Sequence, residues 1–183
     1  MHLIFLHGAP GVGKRTVALE LSKELSFPFL NFQLLNSLLG PVFGSSEDFF
    51  ELRNDIYKTI VERALAGYED GLIATFTYEP SIPMGLFASF IRAAEESAGI
   101  GLFIGLTCAS EDLRTRIESP ERVDLDKVAN FQAVEESLAR GDYELPSLPG
   151  PSMTIDTSGE TPGETVQNIL AVLPDDMKLN MVF

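Results

Sequence analysis

The chain has 183 residues, 45% hydrophobic and 22% charged, which suits one domain with a sizeable core and argues against disorder. Its formal net charge is −14, a surface that repels nucleic acid and anionic membrane, so neither is expected as a partner. A single cysteine, Cys108, rules out an intrachain disulfide, and no apolar run reaches the length of a membrane span; with a strand starting at once, a cytoplasmic protein is expected.

His2-Leu3-Ile4-Phe5-Leu6-His7 reads as a buried strand. Gly8-Ala9-Pro10-Gly11-Val12-Gly13-Lys14-Arg15-Thr16 follows, and apolar residues at 17, 18, 21 and 25 then recur at helical spacing. Strand, glycine loop, lysine and helix in that order form the context of a phosphate-binding P-loop. The glycines let the backbone curl so that N–H groups point inward. The helix adds its unpaired N–H groups and the positive end of its dipole. Lys14 supplies a mobile charge that reaches β- and γ-phosphates. The usual signature has Ser or Thr directly after the lysine as a Mg²⁺ ligand. Here Arg15 stands there and Thr16 follows.

Residues 28–32 read as a second strand, and 34–39 as a brief helix ended by Gly40-Pro41. Ser45 or Ser46 caps a long helix over about 47–66. Residues 72–78 form a third strand, 84–98 a helix, and 100–107 a fourth, wholly apolar strand. Ser110 caps a helix to about 118, and 126–140 is amphipathic. A proline-rich loop precedes a last strand at 152–156, and Thr161-Pro162 opens a final helix to about 173. The last ten residues read as a loosely held tail. Five short strands alternating with helices predict an α/β fold: a parallel sheet with helices on both faces and right-handed crossovers, in one domain over 1–183.

The lysine–X–threonine ending of the loop resembles the P-loop of adenylate kinases and related nucleoside monophosphate kinases. The resemblance widens along the chain. Leu113-Arg114-Thr115-Arg116-Ile117 with Pro120-Glu121-Arg122, the stretch Leu138 to Glu144, and Thr154 to Ser158 with Thr161 to Val166 follow the order of segments in shikimate-kinase-like and adenylate-kinase-like enzymes. That resemblance implies a three-layer α/β/α P-loop fold with strand order 2-3-1-4-5. It also implies a substrate-holding insert at about 33–67 and a lid at about 117–127.

By the same resemblance, Arg116 and Arg122 close over the phosphates with Lys14; otherwise each is a solvated helix-end arginine. Arg53 and Arg140 grip an anionic acceptor group, or else pair with nearby carboxylates. Asn31 and Gln33 stand where shikimate-kinase-like enzymes carry two aspartates; amides hydrogen-bond a hydroxyl but accept no proton near neutral pH. The glycine cluster after the third strand is replaced by Phe76-Thr77-Tyr78-Glu79, which argues against shikimate itself. Thr16 and Glu79 are the candidate contacts to Mg²⁺, through water. His7 reads as a packed histidine rather than a catalytic one. The expected activity is transfer of a phosphoryl group from ATP, with Mg²⁺, to a small polar molecule, an anionic one where the arginines grip it. The alternative is a nucleotide-binding module of little or no activity, lacking the usual metal ligands.

Overall fold

The computed structural model describes residues 1–67, 70–78, 81–120, 130–144 and 147–178. Among these, five strands form one parallel sheet: β1 (His2–His7), β2 (Phe29–Asn31), β3 (Gly71–Phe76), β4 (Gly101–Thr107) and β5 (Ser152–Asp156). Their order is β2-β3-β1-β4-β5, as expected from the resemblance. Helices α1 (Lys14–Leu25), α2 (Gln33–Phe43), α3 (Glu47–Gly67), α4 (Met84–Glu96), α5 (Ser110–Ile117), α6 (Phe131–Ala139) and α7 (Pro162–Val172) complete a three-layer α/β/α fold.

The sheet separates two apolar layers because successive side chains point to opposite faces. Ile4 and Leu6 of β1 pack with Val17 and Leu21 of α1, Leu113 of α5 and Ile169 of α7. Leu3 and Phe5 face the other way, toward Tyr57 and Val61 of α3 and Phe87 and Phe90 of α4. The Phe5 ring is the centre of that second layer. It stacks on Phe103 at 5.1 Å and meets the edges of Phe76 and Phe87 at 5.8 and 5.7 Å. Burying each such ring contributes about 1.5–3 kcal/mol. By the same alternation His7 follows Phe5 onto the α4 face, at the end of the strand that feeds the glycine loop.

The structure differs from the sequence reading at several ends. Helix α2 does not stop at Gly40-Pro41 but continues to Phe43. Pro41 lies in its last turn, where one missing N–H costs a single bond, and Gly44 N–H closes the helix on the Gly40 carbonyl at 2.8 Å. Ser46 does cap α3, accepting from Phe49 N–H at 3.2 Å. Ser110 is not a cap: it is the first residue of α5, and the preceding Ala109 N–H donates to Ser158 Oγ at 2.7 Å. Nor are residues 175–178 loosely held: they form a 3₁₀ turn that buries Met177 against the α1–α7 layer. The start of the segment read as helix 126–140 and most of the expected lid lie outside the described residues.

Candidate functional site

The loop from Gly8 to Gly13 joins β1 to α1 at the carboxyl end of the central strand. Its glycines are required by geometry. Gly8, Gly11 and Gly13 have φ of 138°, 98° and 96°. A Cβ at Gly8 would collide with the Leu106 carbonyl oxygen, and one at Gly11 would stand 2.7 Å from Leu113 Cδ1. The first bond of α1 runs from Val17 N–H to the Gly13 carbonyl at 3.0 Å, so the N–H groups of Lys14, Arg15 and Thr16 stand ahead of it. The Lys14 ammonium turns back over the loop and donates to the carbonyls of Gly8 at 2.7 Å and Ala9 at 2.8 Å. A cation over a glycine cradle at a helix N-terminus is fitted to phosphate oxygens. Arg15 and Thr16 are exposed in the first turn.

Arg116 does not stand out in a lid. Its guanidinium donates to Thr157 Oγ1 at 2.8 Å, to the Thr157 carbonyl at 2.7 Å and to the Val12 carbonyl at 3.4 Å. It thereby ties the glycine loop to the β5–α7 connection. Thr157, which sequence reasoning missed, is buried and places its hydroxyl 3.0 Å from the Thr107 carbonyl. Only the neighbouring pattern Asp156-Thr157-Ser158 hinted at it, as a turn: Asp156 Oδ1 accepts from Ser158 N–H at 3.0 Å.

The candidate acceptor residues come from the end of β2, the start of α2, the α3 helix and the turn after α6. Asn31 Oδ1 accepts from Gln33 N–H at 3.1 Å and Thr75 Oγ1 at 3.4 Å, while Gln33 itself is exposed at the start of α2. Arg53 is 0% exposed. Its guanidinium carbon sits 5.5, 5.2 and 5.8 Å from the Phe49, Phe50 and Tyr57 rings, and it donates to Ser81 Oγ at 3.1 Å. In this structure Arg53 is thus packed among rings of its own helix and bonded to Ser81. Arg140 is exposed and ion-paired with Asp142 at 2.7 Å. Arg122 and Glu79 lie outside the described residues.

Beside the glycine loop a recess of about 510 Å³ opens between the ends of β1, β4 and β5 and the turn after α6. His7, Gly8, Ala9, Gly105, Thr154 and Tyr143 are among its walls. His7 lies against Phe76 at 5.6 Å, and its Nε2 is buried with no hydrogen-bond partner among the described residues. Burial, aided by the Lys14 charge, pushes its pKa down to about 4. Cys108, at the end of β4, is half-buried and packed against the α1 layer as a small core residue; burial pushes its thiol pKa up.

No protein-family model matches this sequence, and no curated protein matches it. Solved structures do, over nearly the whole chain. A gluconokinase from Sinorhizobium meliloti 1021 superposes with a TM-score of 0.62 at 15% identity, over 93% of this chain and 90% of that one. A sugar kinase from Janibacter sp. HTCC2649 gives 0.63 at 15% identity, over 100% and 99%. The shikimate kinase of Bacteroides thetaiotaomicron gives 0.59 at 16% identity, over 93% and 96%. The chain has the fold of the P-loop small-molecule kinases. In that fold the loop at Gly8–Gly13 and the recess beside it lie at the carboxyl ends of the strands, where open α/β sheets bind their ligands. Among the described residues no helix is long and apolar enough to cross a membrane.

Proposed function

We propose that this P-loop protein binds ATP and transfers its γ-phosphoryl group to a small polar acceptor with the help of Mg²⁺. The observation that carries this reading is the glycine cradle with the Lys14 ammonium held over it on two loop carbonyls. Phosphoryl transfer asks the protein for positioning and for charge on the equatorial oxygens, with little covalent chemistry. Residues 8–16 hold the phosphates, and Lys14 exchanges its carbonyl contacts for phosphate oxygens. Mg²⁺, when bound, would neutralise phosphate charge. Among the described residues no group of three or more acidic, histidine or cysteine side chains offers a cage for it. A metal carried largely by nucleotide and water, with Thr16 nearby, suits that chemistry. Arg116 positions the loop, and Arg122 is proposed to reach the phosphates.

The test is ADP release by the purified chain with ATP, Mg²⁺ and a panel of small hydroxyl compounds. Acceptor-dependent release that Lys14→Ala removes is the expected result. ATP binding with no acceptor-dependent release, with or without Mg²⁺, rejects the kinase reading in favour of a binding module.

A further inference from the structure

The longest stretch of the chain without a charged side chain is residues 25–46, and it contains the whole of α2. A surface helix without a charge stands out in a chain of net charge −14. Its inner side has a clear role. Leu39 is buried, Leu35 packs against the layer around Phe5, and Asn36 Oδ1 accepts from the Tyr57 hydroxyl at 3.0 Å, which docks the helix on α3. On the outer side Leu34, Leu38 and Val42 are each more than half exposed.

These three residues recur at i, i+4 and i+8. At 3.6 residues per turn each lies about 40° around from the last, so together they form one ridge inclined to the helix axis. Pro41 lies beside the ridge, and Gln33 and Ser37 flank it. Ridges of this class pack into the matching groove of another helix at about −50°. The spacing is also symmetric about Leu38. When the other helix is the same helix turned about a two-fold axis, Leu38 meets its own copy and Leu34 meets Val42 of the second copy. The patch is then its own complement, and no other surface is needed.

Size and charge point to the same occupant. Side chains this exposed leave on the order of 100 Å² each in water, so the ridge and its flanks offer roughly 500 Å² per copy, a size at which apolar patches mark interaction sites. Two copies then bury about 1,000 Å² in all, the lower bound for a specific interface. Two chains of net charge −14 repel each other, and a face free of carboxylates is where they can touch.

We propose that the outer face of α2 is the interface of a homodimer, built on Leu34, Leu38 and Val42 around a two-fold axis at Leu38. The contact is independent of phosphoryl transfer. Apolar burial drives the association, and the like charge of the two chains opposes it. The dimer therefore tightens with salt, because screening weakens the repulsion and leaves the burial. A cationic partner on this face would show the reverse dependence.

Sedimentation equilibrium of the full chain over about 1–500 µM, at about 0.02 M and about 0.3 M NaCl, measures the association. The expected result is a monomer–dimer equilibrium with a micromolar Kd, at least threefold tighter at the higher salt and weakened at least tenfold by Leu38→Glu. Circular dichroism reports whether that variant folds, and Leu38→Ser carries the test should it not. Crosslinking locates the axis. In a Cys108→Ser background, mild oxidation is expected to join Leu38→Cys chains to one another, and Leu34→Cys chains to Val42→Cys chains in preference to themselves. Leu19→Cys, on an exposed position of α1, is the control that stays uncrosslinked. A chain that is monomeric over the whole range, a dimer that the Leu38 variants leave intact, a dimer that salt weakens, or crosslinking no better at position 38 than at position 19 overturns the proposal. So does a monomer that binds a lysine-rich amphipathic peptide in calorimetry and loses it with Leu38→Glu, which assigns the face to a basic partner.

Discussion

A buried threonine hydroxyl has one proton to give, and around Thr157 Oγ1 lie two carbonyls, Thr107 at 3.0 Å and Val12 at 3.4 Å. Arg116 resolves this by donating to the hydroxyl and also to the Val12 carbonyl. Thr157→Val keeps the volume and leaves the guanidinium short of a partner. A charge-assisted bond is worth about 1.5–3 kcal/mol, so nucleotide affinity is expected to fall about tenfold as the loop loosens, measured by ATP titration. Arg53 calls for a different readout. Held among three rings and bonded to Ser81, it supports stability; Arg53→Met is expected to cost about 2 kcal/mol in urea unfolding and to leave ATP affinity unchanged. His7 gives a pH signature. Its folded pKa of about 4 lies below the usual 6.5, so the unfolded chain binds the extra proton first as pH falls. Stability from this group is full above the unfolded value, declines through the window from 6.5 to 4 by about 3 kcal/mol in all, and is level below it. His2 is also lowered by burial, so the difference between parent and His7→Phe is the measurement; equal acid sensitivity of the two contradicts the assignment. The path of the loop was legible in the sequence because its glycines fall where the backbone takes positive φ, between an apolar strand and a helix. Thr157 was not, since its partners, Arg116, Val12 and Thr107, come from segments far apart in the chain.

At the scale of elements, periodicity revealed the central strands well because β1, β3 and β4 are buried on both faces and read as apolar runs. Ends were harder, since a local breaker is weighed against packing that the sequence does not display. Helix α2 is the clearest case. Gly40-Pro41 is a stop signal, yet Leu39 is buried and the turn beyond it closes on Gly44. Leu34, Leu38 and Val42 are 66%, 69% and 74% exposed, so little packing holds the helix from that side. Its last turn therefore depends on its own hydrogen bonds, one of which Pro41 lacks. Pro41→Ala is expected to stabilise the chain by about 1 kcal/mol and to slow amide exchange in residues 41–44. Unchanged or faster exchange there means that α2 is held by something other than its backbone ladder.

For the whole molecule the governing quantity is the net charge of −14, set against a loop proposed to receive an anion. Topology places the cradle at the mouth of a parallel sheet, where the Lys14 ammonium and the amino end of α1 act at close range. At long range the acidic surface dominates, because one local cation is small beside the excess of carboxylates. On the proposed function, nucleotide crosses a repulsive field to reach an attractive point. Raising ionic strength from about 0.01 M to about 0.1 M shortens the screening length from about 30 Å to about 10 Å, which removes most of the far field and little of the contact attraction. The association rate of ATP is therefore expected to rise with added monovalent salt, severalfold over that range, while dissociation changes much less. Stopped-flow binding with a fluorescent ATP analogue at fixed Mg²⁺ separates the two rates. An association rate that falls with salt shows that the local positive potential reaches farther than the acidic surface, and that the approach to the loop is steered rather than hindered.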